Sequence, residues 1–489
     1  MKVEQDLPRQ RIETPQNLRT FLEALKKERP DDLLVIDKPI SPIHEMNALL
    51  VELENRQRYP VVLYTNTVNH YGQKSAFPVL ANVFASRARN SWVMGSTSER
   101  IPFDYYKRLQ HPVDPVVIPS EAAPVHEVIE QGDQVDLLKF PIPVHHEWDP
   151  GPYITAGFVT MKWSDNRGYN DGLHRCFIRD KNTMLSFFSP AKHDWYILEE
   201  NSRANRPTPV VVWLGHHPGA YFGAQAKAPI GVNEYALPGG FLGQPMRLTP
   251  SVTWGEEFLV PADAEIVIEG VIYPGEQGVE APFGEYTRYY GEQRYNPVIH
   301  VTAVTHRRDA IWQDINVSHA DNHVLGGFAL EAKVFEAVHQ YVHGVKAVHL
   351  PLSGCCRFLC YISIHKQTEG EGKLALAAAL PVDSRIKYVI VVDDDVDVFN
   401  EAEVLWAFAT RTKLPEDSIT ITDIIGEGLD PMAIDTEKSS LINKVGYDAT
   451  KPVETGFAEK VGWPQEIVEK VKQLENYVDR ATLGRLPQD

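Results

Sequence analysis

Two glutamates, Glu280 and Glu285, stand five residues apart in the segment Glu280-Ala281-Pro282-Phe283-Gly284-Glu285-Tyr286. Pro282 and Gly284 disfavour a helix there. On a regular strand an odd spacing would send the two carboxylates to opposite faces. A turn or bulge would bring both toward one cavity, where each raises the other's proton affinity and suits one for general-acid work. On composition alone the pair reads more readily as two surface glutamates in a loop. Arg175 closes the stretch Asn170-Asp171-Gly172-Leu173-His174-Arg175 and offers a planar fork for a carboxylate or phosphate, although a lone arginine is more often structural. Asn170, His193 and Glu234 could supply an amide oxygen, an imidazole nitrogen and a carboxylate to a fairly hard divalent ion, Mn²⁺ or Mg²⁺. Their separations of 23 and 41 residues carry no local metal signature.

Other chemistry-bearing groups are weaker. Cys355, Cys356 and Cys360 lack a CxxC pair and sit in GCCRFLCYISIHK, which alternates like a strand, so a structural role is favoured over a metal site. The run Asp393-Asp394-Asp395 with Asp397 follows a strand end and reads as a solvated loop. No GxGxxG after a strand, GxxxxGK[ST], GxSxG or HExxH occurs, which removes the usual support for dinucleotide, P-loop, serine hydrolase and zincin readings.

The elements that must position these residues fall into three parts. In residues 1–124 the spacing predicts a helix over 17–27 capped by Asn17, strands at Leu33–Ile36 and Val61–Tyr64, and a Pro-rich connector at 112–125. Residues 125–318 show short β-rich runs between Gly/Pro turns, at 154–161, 209–214, 258–260, 265–271 and 298–306, suggesting a barrel or sandwich. A helix over 329–342, within a linker at 319–343, leads to residues 344–489. There strands at 358–364 and 388–392 alternate with helices at 402–412 and 464–481, an α/β pattern.

The 489 residues carry 43% hydrophobic and 23% charged residues and a formal charge of −18, an ordinary folded composition. That balance argues against nucleic acid or an anionic membrane as a bulk partner. It also requires any anionic ligand to be attracted locally. The amino terminus lacks a signal-peptide core, no apolar run approaches the ~20 residues of a membrane span, and four cysteines, three of them clustered, suit a reducing compartment. The expectation is a cytoplasmic protein.

The chain resembles the UbiD-like family of reversible decarboxylases, which use prenylated FMN. The resemblance runs from about residue 15 to 480. It rests on Gly151-Pro152-Tyr153-Ile154-Thr155, the Asn170-to-Arg175 stretch, Pro190-x-x-His193, Asn233-Glu234, Glu280-x-Pro-Phe-Gly-Glu285, the Asp393-to-Asp397 run and Leu405-Trp406-Ala407-x-x-Thr410-Arg411, in this order. It implies a multidomain α+β and α/β fold: an amino-terminal α/β region, a central split β-barrel that binds flavin, a linker helix, and a carboxy-terminal α/β oligomerisation domain. It further implies Arg175, Glu280 and Glu285 as a catalytic network, with Glu285 as proton donor after CO₂ loss from a covalent substrate–prenylated-FMN adduct. Asn170, His193 and Glu234 become ligands of Mn²⁺ or Mg²⁺, with K⁺ nearby, and Arg175 and Lys192 join them in binding the cofactor. A flavin prenyltransferase is the expected cofactor supplier, and a homodimer or homohexamer the expected assembly.

Ser189, Tyr286 and Leu325 fall where such enzymes line the substrate, and His323 lies nearby, where it could hydrogen-bond a ring heteroatom or hydroxyl or serve a structural role. The expected substrate is a small aromatic or heteroaromatic carboxylic acid, of indole or pyrrole type, with phenolic or cinnamic acids as the alternative. Arg288 departs from the Gly that relatives often carry there. The rival classes are an FMN oxidoreductase on a split barrel and a non-catalytic subunit. The second is disfavoured because Arg175, Glu285 and all three metal ligands are present.

Overall fold

A computed structural model describes residues 14–190, 192–226, 228–436, 439–473 and 476–479. Near the amino terminus, α1 (Leu18–Glu28) buries Leu18, Phe21, Leu22 and Leu25 along one stripe. Its start is fixed by a capping box: the Asn17 side chain accepts from the Arg19 and Thr20 amides, and Thr20 Oγ1 accepts from the Asn17 amide. Strands Leu33–Ile36, Val61–Tyr64 and Val79–Ala81 form a sheet completed by Trp312–Gln313, so the end of the central region is stitched back onto the first. The Pro-rich connector contributes one two-residue strand, Val116–Val117, and otherwise short turns.

The central sheet positions the site. Its main strands are β1 (Phe158–Lys162), β2 (Tyr169–Leu173), β3 (Cys176–Ile178), β4 (Thr183–Ser186), β5 (Thr208–Leu214), β6 (Ile266–Glu280) and β7 (Arg294–His306). The order across the sheet is Tyr153–Ile154, β3, β4, β7, β6, β5, β1, β2. Thus β2 lies at one end and β3 almost at the other, yet only His174 and Arg175 join them. Three Cα steps reach at most about 11 Å. The sheet must therefore curl until its ends nearly meet, without a ladder closing the gap. Two register shifts along β6, after Glu269 and after Ile272, supply local bending. At Gly270 a Cβ would stand 2.7 Å from Ile299 Cγ2 and 2.8 Å from His300 O, so only glycine lets the strands approach there.

Two strand expectations change. The run 154–161 is broken at Thr155-Ala156-Gly157 into two strands, and the strand expected at 265–271 continues to Glu280. Pro274-Gly275, which reads as a turn, is absorbed by the second register shift, with Gly275 at φ +75°.

The linker helix α3 (Ala320–His339; α2 is His193–Arg203) begins nine residues before the expected 329. It leads to a sheet ordered Val345–His349, Leu359–Ile364, Tyr388–Asp393, Ser440–Ala449, Ser418–Ile425, with helices Glu371–Ala379 and Glu401–Arg411 as crossovers. Cys355 and Cys356 are not in a strand: they occupy left-handed turn positions, φ 55° and 49°, and the strand starts at Leu359. All four cysteines are free and buried. Asp393 and Asp395 take ion pairs from Arg411 at 2.7 and 2.8 Å, which accounts for much of the acidic run. The last helix covers only Gln465–Val471; of the positions expected to continue it, 474, 475, 480 and 481 lie outside the described residues. Among the described residues no helix is long and apolar enough to cross a membrane.

Candidate active site

Arg175 sits in the two-residue link across the split of the barrel. Its neighbour anchors that link: His174 Nδ1 lies 3.1 Å from Phe187 O and Nε2 lies 2.9 Å from Asp194 of α2. Opposite, Glu280 is the last residue of β6 and pairs with Arg294 at the start of β7. The chain between them folds back on itself. Glu285 N donates to Tyr289 O at 2.9 Å and Gly291 N to Phe283 O at 2.8 Å. This fold-back carries Glu285 to the same guanidinium as Glu280. Arg175 Nε donates to Glu280 Oε1 at 2.7 Å, Nη1 donates to Glu285 Oε1, and Asn296 Nδ2 donates to Glu280 Oε2. Phe283 and Phe187 cover the guanidinium faces at 5.2 and 5.7 Å.

Both glutamates are buried. Burial drives the Glu285 carboxyl toward its protonated form; Arg175 opposes this, Glu280 adds to it, and the net effect raises its proton affinity. For Arg175 burial disfavours the charge, but Glu285 and Glu280 outweigh it and hold the cation firmly. The trio is thus a fixed cation flanked by two carboxylates, one of them biased toward carrying a proton.

Asn170, His193 and Glu234 meet on another rim. Asn170 Nδ2 donates to Glu234 Oε2 at 2.9 Å, and His193 Nδ1 is 3.4 Å from Glu234 Oε1. The Asp171 amide also donates to Glu234, at 2.6 Å. Behind them Asp171 is buried, receives bonds from Thr160 and Trp213, and is pushed up to about 8, chiefly by burial. Asn170, Lys192, His193 and Glu234 all line one cavity of about 440 Å³, of a size suited to a cofactor. The donor set of amide oxygen, imidazole and carboxylate suits a hard divalent ion. Lys192 and the first residue of α2 add a cation and a helix amino terminus, a setting for a phosphate. Tyr286 is on the same lining, and its buried Oη has no hydrogen-bond partner. The residues present would therefore fit a hard divalent ion beside the phosphate of a cofactor. Among the described residues no three His, Cys, Asp or Glu side chains form a metal cluster.

The four expected substrate-lining residues separate into two pairs. Ser189 and Tyr286 line the cavity; His323 and Leu325 do not. His323 is buried behind Tyr286, with Nε2 2.6 Å from Tyr286 O, and burial pushes it down to about 3. Leu325 is packed in the core. Arg288 adopts φ +64°, the backbone region that favours glycine, and its guanidinium reaches Ser318 O and Glu54, away from this cavity. The cavity's remaining wall, Ser384, Arg385, Glu427 and Leu429, comes from the carboxy-terminal part and was not indicated by any local motif.

Three domain profiles match this chain: the 3-octaprenyl-4-hydroxybenzoate carboxy-lyase (UbiD) amino-terminal domain over residues 24–116, its Rift-related domain over 116–320 and its carboxy-terminal domain over 323–449. The chain belongs to the UbiD family. It is a carboxy-lyase of that family with the multidomain fold and curled half-barrel sheet of its members. The anhydromevalonate phosphate decarboxylase of Methanosarcina mazei is 32% identical over 437 residues, 88% of this chain and 96% of the relative. The UbiD-class enzyme HmfF from Pelotomaculum thermopropionicum, solved with FMN, superposes with a TM-score of 0.87 at 34% identity, covering 95% of this chain and 100% of that one. An evolved dimeric form of HmfF, solved with prFMN, gives 0.84 at 33% identity over 95% and 100% of the two chains. The 3,4-dihydroxybenzoic acid decarboxylase of Klebsiella pneumoniae gives 0.84 at 26% over the same shares.

Proposed function

We propose that this chain is a non-oxidative, reversible decarboxylase that works with prenylated FMN on a small aromatic or heteroaromatic acid whose carboxylate sits on an unsaturated carbon. The observation that carries this reading is Arg175 clasped between Glu280 and Glu285, with Glu285 biased toward its protonated form. Bound prenylated FMN supplies the electron sink that amino-acid side chains lack. Arg175 orients the substrate carboxylate through the N–H bonds that Glu280 and Glu285 leave open. Glu280, held by Asn296, fixes the guanidinium and lends Glu285 its negative neighbour. Glu285 then delivers a proton to the carbon that CO₂ has left, a step worth about 10²–10⁴-fold. Phe187 and Phe283 keep water off the cation.

Asn170, His193 and Glu234 would hold Mn²⁺ or Mg²⁺, with K⁺ close by, and Lys192 would meet the phosphate. Exposed apolar side chains toward the carboxy terminus, among them Val461 (83%) and Trp463 (70%), favour a homodimer or homohexamer. A second substrate reading has one supporting observation, the identity to anhydromevalonate phosphate decarboxylase: a phosphorylated aliphatic acid, its phosphate drawn to Lys192 or Arg385.

The test is CO₂ release from a panel of aromatic, heteroaromatic and phosphorylated unsaturated acids, by protein co-expressed with a flavin prenyltransferase. Glu285→Gln, equally loaded, should lose about 10²–10⁴ in kcat. Turnover within threefold of wild type would remove Glu285 from the proton-donor role.

A further inference from the structure

The decarboxylase reading places one end of the substrate, its carboxylate, at Arg175. Arg175 follows His174, which lines the cavity of about 440 Å³, and the wall that the carboxy-terminal part adds to that cavity bears on the rest of the substrate. Arg385 is already committed there: its Nε and Nη2 both donate to Asp383, at 2.7 and 3.0 Å. Glu427 is not. Its half-buried side chain makes no hydrogen bond and no ion pair with any described residue, although it lines the same cavity. Tyr286 lines the same cavity, and its buried Oη has no acceptor. Tyr286 is held from behind, by His323 at its carbonyl and by Arg357 over its ring at 5.8 Å. Arg357 in turn rests against Gly326, where a Cβ would collide with Nη2 at 1.8 Å. The phenol is thus braced in place, and it does not reach Glu427. Glu427 and Tyr286 thus line one volume, and no hydrogen bond joins their side chains.

We infer that Glu427 selects the substrate, accepting a hydrogen bond from a ring N–H or hydroxyl at the end remote from the reacting carboxylate. The inference rests on the decarboxylase reading and sharpens its substrate class to pyrrole-, indole- or phenol-type acids. A second anionic group in that position, carboxylate or phosphate, would meet the charge of Glu427 at close range. Sites that hydrogen-bond a substrate N–H or O–H discriminate strongly against analogues lacking it, because their own polar group is then left unpaired. Glu427 also acts electrostatically on Glu285, adding to the raised proton affinity there.

The experiment uses cofactor-loaded wild type, Glu427→Gln and Glu427→Leu. Each is given matched acids with and without the donor: pyrrole- and furan-3-carboxylate, indole- and benzofuran-3-carboxylate, 4-hydroxy- and 4-methoxybenzoate, with furan-2,5-dicarboxylate and phosphorylated unsaturated acids alongside. The quantity read is the donor/no-donor ratio of kcat/KM, compared between enzymes so that each ring's own reactivity cancels. It should fall at least tenfold in Glu427→Leu and less in Glu427→Gln, which keeps a carbonyl acceptor. The pH at which kcat declines on the alkaline side should move down in Glu427→Gln, because Glu285 loses a negative neighbour. A ratio within threefold of wild type in both variants overturns the inference while leaving the decarboxylase reading intact. So does a preference for a dicarboxylate or phosphorylated acid that Glu427→Leu weakens. No CO₂ from any acid overturns both.

Discussion

Gly284 offers a sharp test of how the active-site loop is held. Its backbone has an ordinary φ, so alanine there is opposed only by space. A Cβ would stand 2.3 Å from His146 Nδ1, 2.5 Å from Cε1 and 2.7 Å from Cγ. Comfortable contacts start near 3.5 Å, so about 1 Å must be found. The imidazole cannot easily give way. The His146 amide donates to Asp149 Oδ2 at 2.9 Å, its Nδ1 is 3.3 Å from the same oxygen, and the ring stands edge-on to Phe283 and Tyr290. The loop must move instead, and the next residue is Glu285. A 1 Å misplacement of a reacting group costs about 10² in rate, so Gly284→Ala should lower kcat roughly a hundredfold. Overpacking should also cost about 1–3 kcal/mol of stability. Steady-state kinetics on the best acid, flavin absorbance and Tm are the readouts. Flavin content should hold, because Asn170, His193 and Glu234 lie on another rim. Adding His146→Ala should return at least tenfold of the loss. A single variant within threefold of wild type in kcat, with unchanged Tm, would refute the idea that this contact sets the position of Glu285, and so would the absence of rescue.

Glu234→Ala should abolish both metal and flavin retention, read by elemental analysis and absorbance, since Glu234 is the shared acceptor of Asn170, the Asp171 amide and His193; full flavin absorbance would count against the metal assignment. The pH dependence follows from Glu285. Burial raises its proton affinity, so the donor form persists above the usual carboxylic range, and kcat should fall as pH rises through the raised value; a kcat that climbs across that window would contradict a proton-donating Glu285. Asp171, pushed up to about 8, favours the fold while protonated: its contribution is full below the ordinary carboxylate value and lost as pH rises through about 8. Asp171→Asn should therefore flatten the decline of Tm between the ordinary carboxylate range and about pH 8; an unaltered decline would mean the carboxyl is ionised in the fold.

Much of the architecture was legible where local physics decides. The stripe Leu18, Phe21, Leu22, Leu25 and its Asn17 cap specify α1 within one turn, and Leu33–Ile36 and Val61–Tyr64 are strands with the expected limits, the second buried but the first half-buried with Val35 exposed. The helix expected from 329 in fact starts at Ala320 and runs through Gly326 and Gly327, residues of low helix propensity. They are glycines because Arg357 and Cys356 occupy the space of their missing Cβ atoms, a tertiary reason invisible in a window of sequence. Cys355-Cys356 imitate strand alternation but sit in a turn against α3. At the site, the Glu280–Glu285 segment and Arg175 could be picked out by residue type and motif. Glu427, Arg385 and Leu429 could not, since only the packing of the carboxy-terminal sheet against the barrel brings them to the cavity.

The two-residue link between β2 and β3 has a consequence for how such a protein can change over evolutionary time. Loops usually absorb insertions freely, but this one is a strut whose length is tied to the curvature of the whole sheet. One added residue between Leu173 and Cys176 would slacken the span and release Arg175 from Glu280 and Glu285, while one removed would leave the edges too far apart to be joined. Shape and chemistry are therefore inherited together: a descendant can vary the wall around Glu427 residue by residue, but it cannot re-gauge the barrel without surrendering its arginine.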